Sequence, residues 1–343
     1  MLAPVLRAYR STGADPPFGD QLPSHGVSME GYFWRFTDAA AGRVVVALIG
    51  VNRAADGNWA TLGLATHPGH VLHQAAWPVA AADPDRLGAF AGEAFSGREG
   101  RVEVDLGPDA RLDVHLQDEV GWPARRPFGG SSVFQTVPAL NQYWHPYILG
   151  ARVRGTATVG GQEISLDGAT AYAEKNWGRG GFPPSWWWGQ AQGFDREDAC
   201  VAFAGGEIVA GRLHTNVTAV VVRLGTRVIR IGDPIVSPVH ADVTNTSWSL
   251  RGRGPVWGVE IEGEAALVDA HLLPVPLPAE RRNVPGALEH LGGRMHVVLR
   301  RRGRVVWSGE STLAGLEHGG RDLAEAEAAR RRSAGAPAAP AGA

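Results

Sequence analysis

Tyr172 to Gln190 reads YAEKNWGRGGFPPSWWWGQ, and it places four of the chain's twelve tryptophans in one short segment. Gly180-Gly181 within it reads as a turn. Side chains alternate in an extended run, which sets Trp186, Trp188 and Gln190 on one face, continuing to Gln192 and Phe194. The opposite face carries Trp187 and then only small residues, Gly189, Ala191 and Gly193. Large aromatics mixed with amides suit the wall of an apolar cavity that takes a ligand with one polar end. The competing reading is a crowded strand whose tryptophans only fill space.

Outward from this segment the pattern is short strands separated by turn residues, the pattern of an all-β protein. Arg43 to Val51, RVVVALIGV, is one strand, and Arg101 to Leu116 is a hairpin turning at Gly107, Pro108 and Asp109. Arg152 to Leu166 forms a second hairpin at Gly160-Gly161, and the runs from Ala219 and His296 repeat the device. Two regions favour helix. Asp83 with Pro84 resembles a cap for DPDRLGAFAGEAF, with a covered sheet edge as the alternative, and Arg321 to Ser333 is the second. We therefore expect a Pro/Gly-rich leader over 1–24, an N-terminal β domain over 25–150 and a C-terminal β domain over 151–320. A short helix and a disordered Ala/Pro/Gly tail should fill 321–343.

With 343 residues and 44% hydrophobic content the chain can bury a large core. A net charge of −2 makes no electrostatic case for nucleic acid. The single cysteine, Cys200, excludes an internal disulfide framework and a cysteine-based metal cluster. No uninterrupted apolar run reaches the ~18 residues of a membrane helix, and no signal peptide is legible. Serine-hydrolase, P-loop and dinucleotide fingerprints are missing. His67, His70 and His73 recur every three residues, but Pro68 and Gly69 argue against a helix that would align them on a metal. We expect neither metal nor cofactor.

Alternation from Tyr172 puts Tyr172, Glu174 and Asn176 on one side and Lys175 and Trp177 on the other. A carboxyl among aromatic rings has its pKa raised by burial and can act as a general acid, so Glu174 is the first catalytic candidate. Its alternative is a salt bridge at the rim. In SMEGYFWRF, Glu30, Tyr32 and Trp34 share a face, with Glu30 either a buried acid or the partner of a buried arginine. In NQYWHPYIL, Trp144 and His145 are candidates for contact with a phenolic head group.

The run formed by Glu174, Lys175, Asn176, Trp177, Gly178, Phe182, Pro183, Trp186, Trp188 and Gln190 resembles the signature of the tocopherol cyclase family. Met29 to Phe36 and Ser311 to Gly320 echo its N- and C-terminal blocks. The resemblance implies two lipocalin-like halves with a site between or within them. It also implies a cyclase that closes a chroman ring by adding a phenol oxygen to a prenyl double bond, without cofactor or redox change. Under it Glu174 is the proton donor, beside Tyr172 and Asn176. Trp177, Trp186 and Trp188 surround the cation, and Asn176, Gln190 and His145 hold the quinol oxygens. Glu30, Tyr32, Trp34 and Trp144 complete the candidate binding set. A carotenoid hydratase-like enzyme, a polyene cyclase and a non-catalytic carrier remain alternatives. The expected partner is a hydrophobic isoprenoid, met in the cytoplasm or at a membrane surface.

Overall fold

A computed structural model describes residues 2–210 and 213–334 of the chain. It is all-β, as expected, with two antiparallel sheets of 13 and 10 strands. In the first, Met29–Asp38 lies between Arg43–Ala54 and Thr170–Gly178, and Tyr143–Ile148 also pairs with Thr170–Gly178. In the second, Trp186–Ala191 lies between Ala199–Ala210 and Arg304–Gly319, which pairs in turn with Arg282–Arg301. None of the described helices is long and apolar enough to cross a membrane.

The alternation that makes strands also sorts the core. Along Ala110–Gln117 every second residue is buried and the rest are exposed, so this strand has one wet face. Met29–Asp38 and Thr170–Gly178 are covered on both faces. Tyr32, Trp34 and Phe36 enter the core of the first sheet, whereas Trp187, Ala191, Phe203 and Trp248 belong to the core of the second. A third apolar layer joins the halves, with Tyr172 and Trp144 of the first sheet packed on Trp188, Cys200 and Val221 of the second. Fully burying an aliphatic or Phe side chain contributes on the order of 1.5–3 kcal/mol, so this layer binds the halves firmly. It also requires close approach at chosen points. A Cβ at Gly189 would lie 2.4 Å from the Phe203 ring, which is why that position is glycine.

Three expectations need correction. The change of sheet does not fall at residue 150: Arg152–Val159, Gln162–Ser165 and Thr170–Gly178 all belong to the first sheet. It falls between Gly178 and Trp186, so the EKNWG run and the triple tryptophan lie on different sheets. The leader contains a helix, Leu2–Arg10, and its Asp15 is fully buried. Finally, DPDRLGAFAGEAF adds sheet edge, Gly88–Ala91 and the start of Phe95–Arg98, rather than a helix. There Asp83 bonds Arg86 and the amide of Asp85 locally, while Ala89, Ala91 and Phe95 turn into the core. Arg321–Ser333 is helical as expected, and the tail over 335–343 lies outside the described residues.

Candidate active site

Between the sheets lies a cavity of about 180 Å³. Glu174 stands in its wall, and its Oε2 accepts three hydrogen bonds: from Tyr172 Oη at 2.5 Å, Trp144 Nε1 at 2.7 Å and Trp188 Nε1 at 2.8 Å. The donors come from both sheets, so the carboxyl is fixed only once the halves have packed. No hydrogen bond reaches Oε1 among the described residues. Burial raises the Glu174 pKa, and the three donors oppose that rise without cancelling it. Tyr172 is pushed far above its ordinary value by burial and by the charge of Glu174, so it remains a phenol that donates.

Of the residues singled out from sequence, Glu174, Asn176, Tyr32, Trp144, Trp186 and Trp188 line this one cavity. Tyr172 lies behind Glu174 as its donor. The others lie elsewhere. Trp34 sits in the first core, 5.8 Å from Phe95. Trp177 is stacked between His25 and Tyr143, on the face alternation assigned it. Glu30 pairs with Lys175 at 2.9 Å, which makes it the partner of a buried cation, a lysine rather than an arginine. Gln190 shares the face of Trp186 and Trp188, but it is taken up by Arg35 and Cys200. His145 packs on Trp122 at 5.3 Å, and burial lowers its pKa to about 3, so it is a neutral ring away from the wall.

Among the wall residues that sequence reasoning missed, two carry an amide or a carboxyl. Gln142 joins Asn176 there, and the Oε1 of Gln142 and Oδ1 of Asn176 are buried acceptors without a partner. Glu317 is the second carboxyl of the wall and accepts a hydrogen bond from Trp186 Nε1. A signal for Glu317 was present in the alternation of Gly315, Glu317 and Gly319. Trp186 lies opposite Gly319, Trp188 opposite Glu317 and Gln190 opposite Gly315. A Cβ at Gly319 would lie 1.8 Å from the Trp186 indole, so a strand with glycines around one acid leaves room for large rings.

The tocopherol cyclase-like family model matches residues 87–320. The chain belongs to that family. It is also similar to solved structures of low identity. One is kievitone hydratase from Nectria haematococca, with 11% identity, 87% of this chain and 90% of that one covered, and a TM-score of 0.54. Another is CghA with Sch210972, with 11% identity, 89% and 93% coverage and a TM-score of 0.58. At these identities the likeness concerns the fold. A family member with a buried, solvent-shielded carboxyl in an aromatic cavity has the parts for proton transfer on an apolar ligand.

Proposed function

We propose that the protein is an enzyme closing a chroman ring on a prenylated hydroquinone, with Glu174 at the centre of the reaction. The observation that carries this reading is the clamping of one Glu174 oxygen by three donors while the other is left toward an aromatic cavity. Ring closure needs one proton delivered to the alkene and one removed from the phenol. An O–H···O contact of 2.5 Å is in the range of a charge-assisted hydrogen bond, and three donors on one oxygen favour a carboxylate. We therefore assign Glu174 to the accepting side, in place of the donor role its sequence setting suggests. Burial makes it a stronger base than an exposed glutamate.

The unpaired Asn176 Oδ1 and Gln142 Oε1 are suited to accept hydrogen bonds from the hydroxyls of a quinol. Trp186 and Phe182, 4.9 Å apart, with Leu273 and Val275 form the apolar surface for the isoprenoid chain. A tertiary cation developing beside the Trp188 face gains roughly 0.5–2 kcal/mol from the ring, and more from the Glu174 charge. Glu174→Gln, assayed with a prenylated hydroquinone, should lose at least about 100-fold in turnover with its melting temperature retained. Full activity in that variant ends the assignment, and binding without turnover by the unmodified protein would favour a carrier. The hydratase kinship of the fold suggests the same assay on an acyclic isoprenoid, read as gain of water.

A further inference from the structure

We infer that Glu317 and Glu289 form a proton-sharing carboxyl pair, and that this pair is the proton donor of the site. The inference rests on the reading above, which leaves the donor to the alkene unassigned. The two residues stand directly opposite on neighbouring strands, where a carboxyl that carries a proton can donate to the other. Glu289 is buried at 1% exposure, Glu317 is half-buried, and neither Glu289 oxygen has a protein donor among the described residues. Only Glu317 lines the cavity, so one member is presented and the other stands behind it.

The surroundings decide the charge of the pair. Two carboxyls in contact cannot both ionise, so at neutral pH the pair keeps at least one proton. Trp186 Nε1 donates to Glu317, Glu174 adds a like charge from the other sheet, and Arg35 is the cation acting on Glu289. His271, opposite Glu289 in register, is kept neutral by burial, with its pKa down to about 4. Burial raises both carboxyls, Glu317 to about 7 and Glu289 well above its ordinary value. These values belong to the pair as a unit. Glu289 is raised further than Glu317 despite Arg35, so it keeps its proton and Glu317 is the member that gains or loses one near neutral pH. Glu174 and Glu317 then flank Trp188, which bonds the first and lies opposite the second.

In the cycle that follows, the Glu317 O–H bond breaks as a C–H bond forms at the less substituted alkene carbon. The phenol oxygen bonds to the more substituted carbon, and its proton passes to Glu174. No electrons are exchanged; after the product leaves, Glu174 gives its proton up to solvent and Glu317 takes one back.

The test combines infrared titration with kinetics. A protonated-carboxyl C=O band should titrate near pH 7 in the unmodified protein and vanish in Glu317→Gln. Activity on a prenylated hydroquinone should fall as pH rises through that titration, because the donor is the protonated form. Glu317→Gln should lose at least about 100-fold in turnover while quenching of tryptophan fluorescence shows the quinol still binds within a few-fold. Glu289→Leu removes a hydrogen bond that lowers Glu317, so the alkaline limb should move to higher pH. A missing band or an unmoved limb overturns the pair while the ring-closing function can stand. A band that titrates in a protein without turnover sinks the substrate reading and, with it, the donor role.

Discussion

Glu174 and Lys175 are neighbours on one strand, and they enter two buried polar sites built on opposite principles. On the Lys175 side the ammonium is fully answered. Its ammonium meets Glu30 at 2.9 Å, the Pro23 carbonyl at 2.9 Å and His25 Nδ1 at 3.0 Å, one partner for each donor. His25 in turn contacts Asp15 at 2.6 Å, and Asp15 contacts Arg10 at 2.6 Å. On the Glu174 side, Asn176 and Gln142 have bare acceptors beside open space. A closed network holds a fold in one arrangement, whereas an open one is costly unless something else completes it. The difference separates a structural site from a functional one more clearly than the residue types do, since both contain a glutamate among aromatic rings.

Lys175→Met should break the comparison most forcefully. It leaves Glu30 as an unpaired buried charge and should cost about 3–5 kcal/mol, read from the denaturant midpoint. Activity per folded molecule should persist, and a variant as stable as the parent would show that the cluster does not hold the fold.

Acid titration sharpens the same contrast. Burial alone would raise the Glu30 carboxyl, but Lys175, His25 and Ser24 hold it at about 2, below its ordinary 4.5. A depressed carboxyl contributes stability above its unfolded pKa and loses it as pH falls toward the folded value. Roughly 3 kcal/mol should therefore disappear between pH 4.5 and about 2, an effect that Glu30→Gln should lack. Equal pH slopes for parent and variant would refute it.

The smallest expected effect lies on the open side. Trp188→Phe removes one of three donors from the Glu174 anion, worth about 1.5 kcal/mol for a bond to a charged group, or roughly tenfold in turnover. Because that donor lowers the Glu174 pKa, its loss should shift the acidic limb of the pH–rate profile to higher pH. An unshifted limb would mean that Glu174 is not the titrating base.

The period-two pattern determined much of this protein. It is enough to specify an all-β chain, the opposite faces of Glu174 and Lys175, and the orientation of Trp186 and Trp188 against Trp187. These are local consequences of how an extended chain alternates, so one sequence suffices to read them. Only the tertiary structure decided which buried groups are satisfied. His145 and Gln190 lie close to the site in sequence and away from its wall in space, because Trp122, Arg35 and Cys200 claim them. Glu317 and Glu289 come together through the register of two long hairpin strands, and Trp144 and Trp188 reach Glu174 from different sheets. Hydrogen-bond saturation depends on partners that alternation cannot place, and it is the packing of one sheet on the other that leaves a few polar groups open.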